Sequence, residues 1–306
     1  MIIALLKKIH YKSKENKFWL FGVVLRKFFS RCMSDKAFIK WEFFSGMGKF
    51  PNLDSPSTFN EKLQWLKLND IHPEYAKMVD KCEAKEYVRT VLGDKYIIPT
   101  LGIWNKWEEI DFTKLPEEFV LKTTHDSGGV VVFKNKEEKT LLRAKKKIKK
   151  SLKRNFYYEH REYPYKNIKP RILCEKYMVD ESGTDLKDYK FFCFNGIVKF
   201  FKIDFERATH HRANYYDAQC NILPFGEKSY PPNPQKHIVF PSNIREMISI
   251  AEKLSKNIPF VRVDLYNVNE NIFFGELTFF PTSGNGRYEP EEWDYKIGEL
   301  LKLPLK

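Results

Sequence analysis

The sequence predicts an α+β fold: lobes built on antiparallel sheets, behind a helical N-terminal region. Three observations carry this. Strand-like runs come in pairs joined by tight turns, with Asn195-Gly196 in DYKFFCFNGIVKFFKIDF the strongest turn signal. Helical patterns separate the hairpins, and the regular β-α-β alternation of a doubly wound sheet is absent. The 306 residues, 42% hydrophobic and 16% aromatic, suffice for a real core and argue against disorder.

Residues 1 to about 95 read mostly helical. The first thirty or so are basic and amphipathic, either a solvated helix with one packed face or a helix lying against a membrane surface. FWLFGVVL falls far short of the ~20 apolar residues of a membrane span. MIIALLKKIHYKSK sets apolar residues before basic ones, the reverse of a signal peptide. Thr58 and Glu61 have capping-box spacing and open a helix with Phe59, Leu63 and Leu66 on one face. A second helix runs through EYAKMVDKCEAKEYVRTVLG and ends at Gly93. YIIPTLGIW and LPEEFVLKTTHDSGGVVVFKNK then give a short strand and a strand–loop–strand unit. TLLRAKKKIKKSLKRNFYY is a helix with a solvated lysine face and Leu141, Leu142, Ile148 and Leu152 turned inward. RILCEKYM is a strand, the Asn195-Gly196 hairpin follows, and NIREMISIAEKLSKNI is an amphipathic helix. A last hairpin within 260–278 and a closing helix in EPEEWDYKIGELLKL complete the chain.

The net charge of +13 implies an acidic partner: nucleic acid, an anionic membrane surface or a phosphorylated small molecule. The five cysteines are odd in number and none lies in a CxxC spacing. This argues against a disulfide framework or a zinc site and fits a reducing cytosol. No GxSxG turn and no GxxxxGK[ST] loop is present, so neither a serine hydrolase nor a P-loop is supported.

Four clusters carry the candidate chemistry. The last hairpin, FVRVDLYNVNENIFFGELTFF, places one acid in each apolar strand, Asp264 and Glu276. If Asn269, Glu270 and Asn271 form a three-residue loop, Val268 faces Ile272, Tyr266 faces Phe274 and Asp264 faces Glu276 on one side of the sheet. Such a pair needs positive charge, from Arg262 or a lysine, or from a shared divalent cation. In KTTHDSGG, Lys122 ends a strand before a Ser/Gly loop that is either an ordinary turn or an anion cradle. In CEKYM, Glu175 and Lys176 are either surface residues or part of a segment leaving its strand to meet a base edge. In KDYKFFCFNG, Asp188 and Lys190 share a strand face with Phe192 and Phe194. ERATHHRANYYD adds Arg207, His210, His211 and Arg212, a basic loop suited to an anionic substrate.

Together these residues resemble the ATP-grasp superfamily and, within it, the TupA-like (teichuronopeptide biosynthesis protein-like) branch. The resemblance spans roughly residues 55 to 303 and rests on TFNEKLQWLKL, IPTLGIW, LPEEFVLKTTHDSGG, YPYKNIKPRIL, DLKDYKFFCFNG, FVRVDLYNVN and FFGELTFFPTSG, in that order. It implies an ATP-grasp fold, two α+β lobes with antiparallel sheets clasping ATP, with divisions at 1–95, 96–180 and 181–306. Lys122 and Lys190 would be nucleotide lysines, with Asp188 beside Lys190. His125, Ser127, Gly128 and Gly129 would form the loop over the phosphates, and Glu175, Lys176 and Tyr177 the hinge that meets adenine. Asp264 and Glu276 would hold magnesium with Thr278, which stands where many members carry Asn. Arg262 would face the phosphates or an acyl phosphate, with Arg212 receiving the anionic substrate.

The activity implied is ATP-dependent ligation of a carboxylate to an amine through an acyl phosphate. In this branch an amino acid is expected to join a uronic acid of a cell-surface polysaccharide, of capsule, O-antigen or teichuronopeptide type. The expected partners are ATP, magnesium, the glycan on its lipid carrier and the amine, with no nucleic acid. The expected location is cytoplasmic, with peripheral contact at the inner membrane face. The alternatives are a glycosyltransferase or a phosphotransferase of the same biosynthesis. Asp126 stands where the branch usually has glycine in this loop. An acid beside a triphosphate is unwelcome, so it either points away or weakens nucleotide binding; Asp126→Gly is expected to keep or improve ATP affinity, unless Asp126 holds the acceptor amine.

Overall fold

The structure is a computed structural model describing residues 18–179, 186–206 and 210–304. Most of the basic N-terminal stretch, and Arg207, lie outside the described residues. The described chain opens with α1 (Trp19–Val24), which runs into a π-helical turn at Leu25–Phe29. Then come α2 (Asp35–Met47) and α3 (Phe59–Asn69). The start of α3 is closed as its sequence predicts: Glu61 N donates to Thr58 Oγ1 and Thr58 N to Glu61 Oε2, both at 3.2 Å.

The single helix expected over 74–93 is two, α4 (Tyr75–Val79) and α5 (Glu83–Leu92). Asp80 makes the break. Its backbone is extended, and its Oδ1 accepts from the backbone N–H groups of Cys82 at 2.8 Å and Glu83 at 3.0 Å. It caps α5 in the way short acids cap helices.

The first sheet contains β1 (Thr100–Trp104), β2 (Phe119–Thr123) and β3 (Val130–Phe133). After α6 (Glu138–Leu152) and α7 (Tyr157–His160), β4 (Ile172–Lys176) completes it in the order β1-β4-β2-β3, all antiparallel. Phe119, Leu121, Phe133, Ile172 and Cys174 pack on Ala144 and Ile148 of α6. Leu142, expected inward, is 60% exposed, because it lies on the lysine side of α6. Period-two alternation turns Lys122 and Glu175 to the face opposite this core.

The second sheet is built from β5 (Asp188–Phe194), β6 (Ile197–Phe205) and β7 (Arg212–Asp217). Then come β8 (Gly226–Glu227), α8 (Ile244–Leu254), β9 (Phe260–Val268), β10 (Asn271–Thr278), β11 (Tyr288–Glu289) and α9 (Glu292–Leu300). Its order is β10-β9-β5-β6-β7, and β11 pairs with β8. Residues 212–217, expected as loop, form the edge strand because they pair with β6 along its length. Met247, Ile250 and Leu254 of α8 are buried in the core of this sheet. Phe59, Leu63 and Leu66 of α3 join the same core, with the Phe59 ring 4.9 Å from Phe260.

The β9–β10 turn differs from its expectation in an instructive way. Asn269 (φ 50°) and Glu270 (φ 64°) form a two-residue turn, so Val268 pairs with Asn271. Ser242 Oγ donates to Glu270 Oε2 at 2.5 Å and so helps to hold the turn. Phe273 thus faces Tyr266, and Phe274 faces Leu265. This register alone would move Glu276 off Asp264. A β-bulge between Phe274 and Glu276 takes up one residue and restores the pair. The extra residue is Gly275, where a Cβ would lie 2.9 Å from the Asp264 carbonyl oxygen. The pairing is as expected, but a bulge sets it rather than loop length.

Candidate active site

The charged face of the second sheet and the loop after β2 border a common cavity of about 480 Å³. From the second sheet, Arg262, Glu276 and Thr278 line it. Arg262 is a fork between two acids. Its Nε and Nη2 donate to the two Asp264 oxygens, each at 2.6 Å, and Nη2 also reaches Glu276 Oε1 at 3.3 Å and Thr278 Oγ1 at 3.0 Å. Lys190 Nζ lies 3.0 Å from Asp264 Oδ2 and also donates to Asp188. Lys190, Asp188 and Asp264 are all buried.

Each charge is tolerable only because of the others. Burial works against a charged Arg262, yet Asp264 and Glu276 push its pKa up. Burial likewise opposes Lys190, and Asp188 and Asp264 raise it. Burial pushes Asp264 above its usual range, against the pull of Arg262 and Lys190. Desolvation only partly opposes a charged Glu276, whose side chain is 49% exposed at the cavity; Arg262, Lys81 and Lys190 outweigh it and hold Glu276 below its usual range.

In the first lobe, Lys122 and Glu175 lie outside the cavity lining, with Lys122 Nζ 2.6 Å from Glu175 Oε2. Lys85 Nζ lies 2.5 Å from the other Glu175 oxygen and donates to Ile98 O and Thr100 Oγ1, both at 2.8 Å. Glu175 is therefore no surface acid: it is 4% exposed and bridges two lysines. Lys176 is exposed at the strand end, and the Tyr177 ring lies under Lys134 Nζ, 3.6 Å from its centroid.

The loop after Lys122 divides in two. Ser127 and Gly128 are exposed, Gly128 with φ 91°, and Ser127 lines the cavity. His125 is buried, with Nε2 3.2 Å from both Ser151 O and Arg154 O, and burial lowers its pKa. It anchors the loop from beneath. The Asp126 carboxylate is also turned inward, accepting from the hydroxyls of Thr123 and Ser151, with Arg154 Nη1 at 3.3 Å. Gly129 sits so tightly in this knot that a Cβ would meet Thr123 Oγ1 at 1.7 Å. Asp126 thus points away from the loop's open side, its charge spent on a buried network.

Three cavity features have no counterpart in the sequence reading. Lys81, placed by the α4–α5 break, donates to Asp126 O at 2.6 Å and feels Glu276, Asp126 and Lys122; burial lowers its pKa. Arg154 reaches the cavity from beyond α6, held by both Glu159 oxygens at 2.7 Å. Thr282 and Ser283 both take left-handed backbone angles, φ 50° and 53°. For non-glycine residues these cost about 1–3 kcal/mol each. Gln64 Nε2 and Lys67 Nζ hold them by donating to Ser283 O at 3.0 and 2.9 Å. Arg212 is not brought to this cavity: it starts the far edge strand and its Nη1 donates to Pro232 O at 3.4 Å.

The family model for TupA-like ATP-grasp proteins matches residues 61–302. The chain belongs to the TupA-like ATP-grasp family. No curated protein matches it. Among solved structures, D-alanine–D-alanine ligase from Bacillus anthracis complexed with ATP is 13% identical with TM-score 0.40, covering 66% of this chain and 54% of that one. The Helicobacter pylori D-alanine–D-alanine ligase is 15% identical with TM-score 0.42, covering 74% and 61%. Biotin carboxylase from Campylobacter jejuni, in a β,γ-ATP complex, is 15% identical with TM-score 0.42, covering 80% and 49%. The chain thus spans about half to three-fifths of these proteins' lengths. The family assignment rests on the match along residues 61–302.

Two expectations follow from the buried networks. Asp126→Gly is expected to destabilise the folded chain by about 1–3 kcal/mol, because the Thr123 and Ser151 hydroxyls lose their charged acceptor and keep only each other, at 2.9 Å, and Gly129 O. An unchanged urea midpoint would contradict that role. At Glu175, burial alone would raise the pKa, but Lys122 and Lys85 outweigh it and lower it. A depressed carboxylate gives stability that is present above its unfolded pKa and lost as pH falls through the folded one. Wild-type stability should therefore decline as pH drops below about 4.3, and less steeply in Glu175→Gln. Superimposable pH profiles of the unfolding free energy would contradict this assignment.

Proposed function

We propose that the protein is an ATP-dependent carboxylate–amine ligase working through an acyl phosphate. Its substrates are those the family resemblance implies: an amino acid joined to a uronic acid of a cell-surface polysaccharide, of capsule, O-antigen or teichuronopeptide type. The observation that carries the reading is the single cavity in which Lys81, Arg154 and the Ser127 loop face Arg262 and Glu276. Lys81 from the helical region, Arg154 and the Ser127 loop from 96–180 and a cation-bridged acid pair from 181–306 suit a nucleotide triphosphate lying between them.

Lys122 and Lys81 would contact phosphate oxygens, and Ser127 and Gly128 would close over them. Lys190 is too deeply tied to Asp188 and Asp264 to leave them, so it would act by setting the charge of that pair. Glu175 to Tyr177 would meet adenine, with Glu175 orienting Lys122. Asp264, Glu276 and Thr278 fit magnesium by donor chemistry: all offer oxygen, and the two carboxylates already require a cation between them. Among the described residues no cluster of three or more His, Cys, Asp or Glu is placed to hold a metal. A partial protein shell suits an ion that keeps phosphate and water ligands. Magnesium would supply charge neutralisation of the phosphates, and Arg262 would then be released to face the transferring phosphoryl group.

The carboxylate substrate attacks the terminal phosphorus, ADP leaves, and the amine then attacks the acyl carbon to release phosphate. The chain's work is positioning and charge stabilisation. A lipid-carried acceptor is supported by the +13 charge and by α1 with its π turn, where Leu20, Phe21, Val24, Phe28 and Phe29 are exposed beside Arg26 and Lys27. These features suit peripheral contact with an anionic membrane face. Among the described residues no helix is long and apolar enough to cross a membrane.

The test is ADP release with uronic acids and amino acids supplied singly and together. Release that needs both supports the ligase. Release with the uronic acid alone, at full rate and without an amide product, supports a phosphotransferase instead. Sugar transfer from a nucleotide sugar would mark a glycosyltransferase. Glu276→Gln is expected to abolish turnover with the fold intact, and Lys122→Ala to weaken ATP about 10-fold or more by loss of a charge-assisted contact. Wild-type values in both variants would remove the site assignment.

A further inference from the structure

The cavity has a second charged wall that phosphate chemistry does not use. It is formed by His160, Glu162, Thr282 and Ser283. Among the described residues, four acidic residues line the cavity: Asp126, whose carboxylate turns inward, Glu159, Glu162 and Glu276. Arginines hold three of them: Arg154 holds Asp126 and Glu159, and Arg262 holds Glu276. Glu162 differs. It is 5% exposed, and its hydrogen-bond partner is a neutral hydroxyl, Ser283 Oγ, donating to Oε1 at 2.6 Å.

The surroundings hold Glu162 in place. Lys67 lies behind it, bonded to Ser283 O, and the His160 ring beside it is bonded through Nδ1 to buried Glu42. Arg161, between His160 and Glu162, is pinned to Asp35 at 2.7 Å and takes a left-handed backbone, φ 56°. The hydroxyl that meets Glu162 comes from the strained Thr282–Ser283 pair. Left-handed non-glycine residues thus flank the carboxylate from both sides, as is common where geometry is kept for function.

We propose that Glu162 receives the ammonium group of the amine substrate and takes a proton from it, freeing the nitrogen lone pair that attacks the acyl phosphate. This rests on the ligase reading above. The ammonium first gives one proton to a Glu162 oxygen, which frees the nitrogen lone pair; that pair forms the C–N bond, the C–O bond to phosphate breaks, and phosphate leaves with that electron pair and takes up the second nitrogen proton. One of the two protons lost by nitrogen thus ends on Glu162 and the other on the departing phosphate. The chemical class is a primary amine carried on a small body, an amino acid, whose side chain would rest on Phe156, Tyr165 and Phe280 of the same cavity. Burial raises the Glu162 pKa, which makes it a better base than an exposed carboxylate.

The test separates the two halves of the reaction. ATP and magnesium with glucuronate or galacturonate are given either hydroxylamine, which is neutral near pH 7 and needs no base, or each of the common L-amino acids. Glu162→Gln is expected to make hydroxamate within about twofold of wild type, while amide formation falls about 100-fold or more with a raised KM for the amine. Glu162→Asp should recover part of it. If both products form at wild-type rates in Glu162→Gln, or both fall together, the proposal is overturned. If wild type makes no hydroxamate with either uronic acid, the ligase reading itself fails and takes this proposal with it. Should Glu162→Gln not fold by circular dichroism, Ser283→Ala replaces it. That variant should raise the amine KM with hydroxamate unchanged, and an unchanged amine KM would overturn the proposal.

Discussion

Two carboxylates on neighbouring strands, Asp264 and Glu276, are the constraint on which the second lobe is built. Like charges opposite each other in a sheet are destabilising unless cations share them. Arg262 and Lys190 supply those cations from within the same sheet, two residues along β9 and across on β5. A face carrying such charge cannot be closed by an apolar helix. The covering helix, α8, therefore packs with the apolar residues of this sheet, and the charged patch is left to border a cavity.

The first lobe repeats the logic with opposite sign. Glu175 sits between Lys85 and Lys122 and fixes where both ammonium groups stand. Asp126 ties β2, α6 and Arg154 together beneath the exposed Ser127–Gly128 turn. Charges aimed in advance need no rearrangement when a charged substrate arrives, which is where electrostatic preorganisation gains its effect. The linking piece is Lys81. It exists in the cavity only because Asp80 interrupts a helix.

Much of this was legible in the sequence because it is local. The capping box at Thr58, the Asn195-Gly196 turn and the period-two placement of Lys122 depend on neighbours within a few residues. The acids of the last hairpin were legible as a pair, but not the means of pairing. Glu270 in a left-handed turn is no recognised turn signal, and a glycine within a strand does not say which way it bulges. The break at Asp80 was hidden because 74–93 keeps helical periodicity across it. The partners of Glu175, Asp126 and Glu162 lie far off in the chain, and only folding brings them in. Arg212 was chosen for its charged neighbourhood, and the sheet order carries it to the opposite edge.

The central claim is that the cation-bridged Asp264–Glu276 pair and the Ser127 loop are two sides of one nucleotide site. A crystal structure with magnesium and a non-hydrolysable ATP analogue tests it most directly. The account predicts the analogue's phosphates between Ser127 and Glu276, within reach of Lys81 and Lys122. It also predicts the Arg262 guanidinium turned out from between the two carboxylates. An analogue bound elsewhere, with Arg262 still bridging Asp264 and Glu276, would contradict it.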